Sequence, residues 1–282
     1  MVANVGDYFT FNNGSISLKD EFRGVLQGKI TLPDVDNNGQ ALTTVGNFSC
    51  QYNTGRVVVP TLFTHVYFKN QDTAKYTTID TGAFSHLGQN SGSNPSALAY
   101  IELPAALTTI GRDSFAQCKN LHTVKMHDNI THILGNAFWD AENISSFGIE
   151  NLPKNLIELG GSSLYDAGDN LVITALPENV VELSSYALSA GLGINISTFG
   201  SETKPITRMQ KDTLNGSGNG TVTHLIIYCT GPTAIEADAF NRYNIQVSQL
   251  EVYSTGDTIS DEVIASWGIK CSHGTTITKG CI

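Results

Sequence analysis

The sequence has few charged residues, few cysteines and no long apolar run. Only 15% of its residues are Asp, Glu, Lys or Arg, against the usual quarter, which disfavours long solvated helices. The five cysteines are scattered and odd in number, so they do not form the framework of a disulfide-rich domain. No stretch of about eighteen apolar residues occurs, which excludes a spanning helix and predicts no membrane insertion.

Positive charge is also scarce. The chain has 16 Lys and Arg against 26 Asp and Glu, giving a net charge of -10. Binding to a phosphate backbone requires a basic patch, so nucleic acid is excluded as a main partner. The first eight residues have neither the basic nor the apolar region of a signal peptide, so we expect no ordinary secretion signal in this sequence.

An internal repeat organises the chain. An aliphatic residue is followed, after three positions, by a small residue and then by a Phe or Leu anchor. The anchors are Phe84, Phe115, Phe138, Leu164, Leu188, Leu214 and Phe240. They lie 23 to 31 residues apart, which is typical of solenoid repeats. A shortened earlier copy spans residues 42–50.

Short β-rich stretches lie between the anchors and often end in Leu-Pro, as at Pro33 and Pro104. The sequence therefore predicts a repeat solenoid with one β-strand and a short helical or irregular turn in each unit. We assign residues 1–27 to an N-terminal cap hairpin, residues 28–255 to the solenoid, and residues 256–282 to a C-terminal cap. That last cap is predicted to hold a short helix starting after Ser260 and a hairpin around His273-Gly274.

The repeat units resemble the BspA-like leucine-rich repeat family. The resemblance is carried by residues 107–121, Leu-Thr-Thr-Ile-Gly-Arg-Asp-Ser-Phe-Ala-Gln-Cys-Lys-Asn-Leu, and by the copies around them. It implies a leucine-rich-repeat-like solenoid with a role in adhesion or recognition and no catalytic motif. Such repeats occur on cell surfaces and also in bacteriophage genomes, so a phage-encoded member is an open alternative. The units at 159–214 lose the Phe and the Cys, which predicts a less regular region.

Candidate chemistry is sparse. Asp34, Asp36 and Asn38 copy the first half of a calcium loop, but Val45 stands where a bidentate Glu is needed. Three histidines at 122, 127 and 132 are five residues apart, which fits neither a helix nor a strand as a metal site. No nucleophile elbow or phosphate loop occurs. We therefore predict no metal site, no cofactor, no catalytic residues and no enzyme activity.

A partner-binding face is predicted from strand alternation. Tyr67 and Tyr100 each lie between inward-facing apolar neighbours, so both rings point outward and are expected to be adjacent. Lys125 follows on the next strand, and Tyr253 lies near the far end of the same face. These rings either form a ladder that only stabilises the sheet or serve as anchors for a partner.

Two function hypotheses follow. The first is a non-enzymatic binding or adhesion module that recognises a protein or glycan surface. The alternative is a structural component of a bacteriophage particle, such as a tail, baseplate or capsid appendage, which contacts other virion proteins or the host. The expected location is accordingly a virion or a cell surface. A closed homo-oligomer would cover the solenoid ends.

Overall fold

The computed structural model describes residues 7–49, 51–52, 57–58, 62–85 and 97–282. The elements are almost all strands, with a short helix, α1 (Asp261–Ser266), and a 3₁₀ turn at Asp20–Phe22. The strands are β1 (Phe9–Asn12), β2 (Ser15–Leu18), β3 (Gln27–Leu32), β4 (Thr44–Val45), β5 (Gln51–Tyr52), β6 (Val57–Val58), β7 (Leu62–Phe68), β8 (Thr78–Ile79), β9 (Tyr100–Glu102), β10 (Thr109–Ile110), β11 (Thr123–Lys125), β12 (His132–Ile133), β13 (Glu158–Leu159), β14 (Glu182–Leu183), β15 (Thr198–Phe199), β16 (Arg208–Met209), β17 (His224–Cys229), β18 (Val247–Ser254) and β19 (Cys271–Cys281).

One sheet, here called the anchor sheet, runs along the repeats. Its strands pair in the order β1-β2-β4-β8-β10-β12-β13-β14-β16, and all pairs except the β1–β2 hairpin are parallel. The aliphatic residues predicted to begin each copy are register partners: Ile79, Ile110, Ile133, Leu159, Leu183, Met209 and Ile235. The predicted repeat solenoid and its alignment are therefore confirmed.

The anchor residues form the centre of the core. The Phe115 ring stacks on the Phe84 ring with a centroid distance of 5.3 Å and a 7° interplanar angle. It stacks on the Phe138 ring at 5.3 Å and 2°. Phe48, from the shortened copy, extends this stack toward the N-terminus with a centroid 5.5 Å from that of Phe84. Each turn of the solenoid, here called a rung, is thus buried mainly by the two turns next to it, as in other solenoids.

The turn that carries each anchor is irregular rather than helical. The residue two positions before the anchor has a left-handed backbone in every copy: Gly82, Asp113, Asn136, Ser162, Tyr186, Asp212 and Asp238. Gly, Asp and Asn tolerate this conformation best, which explains their prevalence there. The turn aims the anchor N–H at the following repeat, so Phe115 N donates to Ala137 O at 2.8 Å.

The strands that lie between successive anchor turns form another side of the solenoid, which we call the second face. In the N-terminal half it is a parallel sheet in the order β11-β9-β7-β3, and in the C-terminal half a sheet in the order β15-β17-β18-β19. Between these sheets only single bridges are formed, Thr123 with Ser146 and Ile173 with Ile194. The predicted loss of regularity in the middle units is visible here.

Two of the predicted end structures are confirmed. The N-terminal segment forms the antiparallel β1–β2 hairpin, with Asn13 and Gly14 both at positive φ as a tight turn requires. Helix α1 begins after Ser260, whose side chain accepts a hydrogen bond from Val263 N. The residue limits proposed for the two caps and the solenoid stay a prediction.

The hairpin predicted around His273-Gly274 is wrong. Residues 271–281 form one strand, β19, parallel to β18. The register partners change from Val247–Cys271 to Gln249–Thr276, which leaves extra residues of β19 in a bulge. Gly274, at positive φ, lies in this bulge, and the chain does not reverse direction there. Parallel pairing with β18 replaces the predicted hairpin because β18 provides hydrogen-bond partners along the length of β19. Cys271 and Cys281 consequently lie at opposite ends of one strand.

Residues 215–220 are rich in glycine, a composition that predicts a flexible loop, but they form a packed turn. Ser217 is fully buried and its hydroxyl donates to Leu188 O. Gly218 lies against the Tyr243 ring, whose Cε2 would be 2.9 Å from a Cβ at that position. Residues 88–93, for which a similar Gly- and Ser-rich composition predicts a second loop, lie outside the described residues, as does Cys50.

Across the described ranges, no helix has both the length and the apolar character needed to cross a membrane.

Candidate binding face

Alternation in the strands of the second face decides which side chains reach the surface. In β7, Phe63, Val66 and Phe68 are buried, whereas His65 and Tyr67 are half-buried and point outward. The same alternation holds in β9, β11 and β17, because successive side chains of a strand point to opposite sides. The outward side chains gather into two groups.

The first ring cluster consists of His65, Tyr67, Tyr100, Glu102 and Lys125. The Tyr67 and Tyr100 ring centroids are 5.6 Å apart, so the predicted contact between them is confirmed. Tyr67 and Tyr100 do not face each other directly. The register partner of Tyr100 is His65, two residues before Tyr67. The imidazole of His65 lies 5.5 Å from the Tyr100 ring and 6.1 Å from the Tyr67 ring.

Glu102 ties this cluster together. Lys125 Nζ lies 2.6 Å from Glu102 Oε1, and Tyr100 OH donates to Glu102 Oε2 at 3.4 Å. Burial, followed by the Glu102 charge, raises the pKa of Tyr100, so the phenol remains protonated at neutral pH. The stem of Lys125 rests on Gly148 of the next rung, where a Cβ would lie 2.9 Å from Lys125 Cγ.

The second ring cluster consists of His224, Tyr228, Glu251 and Tyr253. The rings of Tyr228 and Tyr253 face each other across β17 and β18, with centroids 5.1 Å apart and a 20° interplanar angle. Glu251 accepts from Tyr253 OH at 2.6 Å and from His224 Nε2 at 2.6 Å. These hydrogen bonds, Tyr253 first, lower the pKa of Glu251.

The two clusters share one design. In each, a tyrosine hydroxyl and a basic side chain bind the two oxygens of one glutamate, and one side chain packs on a glycine of the following rung. In the second cluster that glycine is Gly280, where a Cβ would lie 2.9 Å from Tyr253 Cδ1. Such mutual bonding fixes the side chains before any partner arrives.

The structure therefore brings together three of the four predicted residues. Tyr67, Tyr100 and Lys125 are in one cluster, and Tyr253 belongs to the other. About five rungs separate β9 from β17, or about 24 Å at the usual strand spacing. Sequence reasoning missed His65 and Glu102, although each lies two residues from a predicted tyrosine on the same strand and therefore points to the same side. It also missed Tyr228, which occupies in β17 the position that Tyr253 occupies in β18.

Two shallow depressions occupy the irregular stretch between the clusters. One has a volume of about 190 Å³ and includes Ser146 and Val172, and the other, about 230 Å³, includes Leu176 and Thr198. Thr174 lines both, so they adjoin. Val172 is 62% exposed at this point.

In the sequence-identified calcium-like loop, Asp36 and Asp34 each accept hydrogen bonds from other groups of the protein. Asp36 Oδ1 accepts from Asn38 N and Gln40 N, both at 2.8 Å. Asp34 accepts from Asn70 Nδ2 at 2.6 Å, and this bond lowers the pKa of Asp34. The loop is an Asx-type turn. The expectation that it binds no calcium stays a prediction.

The three histidines spaced by five residues do not converge. His127 Nε2 lies 2.8 Å from Pro104 O, and His132 Nδ1 lies 2.8 Å from Thr131 Oγ1. In the part of the chain that the structure describes, no three His, Cys, Asp or Glu side chains are grouped as metal ligands would be.

Stacked strands with a buried anchor in every turn define a leucine-rich-repeat type of solenoid. Residues 85–218 match the family described as "BspA type Leucine rich repeat region" in six copies. The repeats in this central part of the chain are of the BspA type, as the resemblance in the sequence implied. Proteins of this family are often surface or extracellular proteins. The family match is to a repeat family and indicates no enzyme family.

Three solved structures align with most of this chain. A leucine-rich repeat protein from Bacteroides ovatus gives a TM-score of 0.39 at 16% identity, covering 96% of this chain and 76% of that chain. The pneumococcal vaccine antigen PcpA gives 0.34 at 14% identity, covering 95% of each chain. A leucine-rich cell surface protein from Faecalibacterium prausnitzii gives 0.31 at 12% identity, covering 99% of this chain and 94% of that chain.

No curated protein matches the chain at a significant level. None of the matches named above refers to a bacteriophage, and the phage alternative stays an untested prediction.

Proposed function

We propose that this protein is a non-enzymatic binding module that attaches to a surface through its second face. The observation that carries this proposal is the pair of ring clusters, in which every polar side chain except Tyr67 and Tyr228 already has a hydrogen-bond or ion-pair partner within the chain. Side chains held in this way lose little conformational freedom on contact, which favours binding. A fold by itself is a weak basis for function, so the proposal depends on the face.

The ring content of the face fits this role. Tyrosine offers a large contact area with only two rotatable side-chain torsions, and it is enriched where interfaces are strongest. Tyr67, Tyr100, Tyr228 and Tyr253 are all half-buried, so part of each ring is available to a partner. The sheet beneath them is rigid because its inward residues belong to the close-packed core.

The test is a double substitution, Tyr67→Ser with Tyr100→Ser, measured for attachment to bacterial or host cells by surface plasmon resonance or cell pull-down. Tyr165→Ser is the matched control, since this tyrosine is also half-buried but lies beside an anchor turn, away from the second face. We expect the double variant to lose at least tenfold in attachment while its thermal melt shows a folded protein. Equal attachment by the folded double variant and the control would contradict the proposal.

A further inference from the structure

The two adjoining depressions of the second face combine an apolar lining with carboxylates. Their apolar lining residues include Ile149, Val172, Ala175, Leu176 and Pro177. Glu150 lines the smaller depression and Glu178 lines the larger one, and both side chains are exposed. A partner that fills the depressions therefore meets apolar surface and two carboxylates together.

These two carboxylates are not neutralised by the chain. Among the described residues, neither Glu150 nor Glu178 forms an ion pair. Lys154, four residues after Glu150, pairs with Asp128 Oδ2 at 2.7 Å. Glu178 Oε1 accepts a hydrogen bond from Thr203 Oγ1 at 3.3 Å, which leaves its charge in place.

The charges around the depressions do not compensate for the two carboxylates either. Toward the N-terminus, Lys125 is held by Glu102 at 2.6 Å. The turn after Ser201, at the rim of the larger depression, contains Glu202 and Lys204, so it adds no net charge. The whole chain carries a net charge of -10. A cationic occupant is therefore attracted to the depressions and an anionic one is repelled.

The apolar lining narrows the choice among cations. An uncharged occupant would cover the carboxylates without pairing them, which costs desolvation energy. A polyamine or an amino-sugar polymer would pair with the carboxylates but has no apolar side chain to cover Val172, which is 62% exposed. A protein segment that carries both Lys or Arg and apolar side chains supplies both kinds of contact.

We propose that the two depressions bind a short basic segment of a partner protein, with Lys or Arg side chains placed next to apolar ones. This inference rests on the proposed function and states the chemistry of its partner. The cations pair with Glu150 and Glu178, and the apolar side chains cover Val172 and Leu176. The depressions extend over about three rungs, or about 10 Å, which about four extended residues can follow.

The experiment selects binders of the whole protein from a yeast-displayed library of random twelve-residue peptides. We expect the selected sequences to be enriched in Lys or Arg interspersed with aliphatic or aromatic residues. A selected peptide, labelled with fluorescein, is then titrated with the protein in a fluorescence anisotropy assay. Its affinity should fall as the salt concentration rises, because exposed charge pairs are screened. Selection of acidic or uncharged peptides would overturn the proposal.

Two double variants separate a specific site from general attraction to an acidic protein. Glu150→Gln with Glu178→Gln should weaken the selected peptide by at least about fivefold. Glu158→Gln with Glu182→Gln removes two exposed carboxylates from the anchor sheet and should weaken it by less than about twofold. Equal losses in the two double variants would refute the site.

A single variant and a competition test the apolar part of the proposal. Val172→Ser should also weaken the selected peptide, and equimolar spermine or chitosan oligosaccharide should not displace it. Displacement by either competitor would show that charge alone is recognised and would overturn the proposal. If cell attachment is lost on substitution of Tyr67 and Tyr100 but unchanged in the Glu150 and Glu178 double variant, this inference fails while the binding module stands.

Discussion

Removing one ring from the anchor stack should destabilise the whole protein measurably. Phe115 is fully buried and lies between two nearly parallel rings, each with its centroid 5.3 Å away. Truncation of such a residue costs about 3–5 kcal/mol through lost burial and the remaining cavity. The upper half of this range is expected for Phe115→Ala, because two ring contacts worth about 0.5–1.5 kcal/mol each are lost together.

The appropriate assay is urea unfolding followed by circular dichroism, with thermal melts for comparison. Phe115→Leu is the internal control, since Leu164, Leu188 and Leu214 occupy the same position in other repeats and are buried there. It should cost less than about 2 kcal/mol. A solenoid unfolds approximately by neighbouring units, so the Ala variant should also show a broader transition. An unfolding curve for Phe115→Ala that overlays the parent would refute the repeat alignment.

Three further predictions concern backbone packing, ionisation and metal. Gly111→Ala should cost about 1–3 kcal/mol, because its Cβ would lie 2.5 Å from Ile79 O, whereas Gly256→Ala, with open space around it, should change stability by less than about 0.5 kcal/mol in urea unfolding. The pKa of Glu251 is lowered in the fold, so its ionised form stabilises the protein above the unfolded pKa of about 4.3, and this stabilisation is lost as the pH falls through the folded pKa. Tyr253→Phe should raise the Glu251 pKa in a carboxyl NMR titration. An unchanged pKa would contradict the hydrogen bond from Tyr253 to Glu251. Chelation should leave the melting temperature unchanged, and a drop together with one calcium per chain by elemental analysis would show that Asp34 and Asp36 hold an ion.

The repeat could be predicted from sequence because its signal is redundant. Ile110 and Phe115 are separated as Ile133 and Phe138 are, and seven such copies fix both the register and the stack. Each copy is buried by its neighbours, so a residue's position in the repeat decides its burial. Tyr67 and Tyr100 followed from the same logic, since alternation alone sets which way a strand residue points.

Features that depend on a neighbouring rung could not be predicted locally. The dipeptide His273-Gly274 has the composition of a turn, yet it lies in a bulge because β18 offers parallel pairing. The grouping of Glu251 with His224 needs the diagonal offset between two strands, which no single segment contains. The depressions around Thr174 exist because regular pairing lapses in the middle units, and the sequence indicated only that lapse.

Site-specific photo-crosslinking tests the central claim that the second face holds the partner, whatever the partner's chemistry. A benzophenone amino acid placed at position 172 would lie on the second face, between the two ring clusters, and the same group at position 157 would lie beside the anchor sheet. After illumination of the protein bound to intact cells, we expect a crosslinked product from position 172 and none from position 157. Crosslinking from position 157 with none from position 172 would contradict the account.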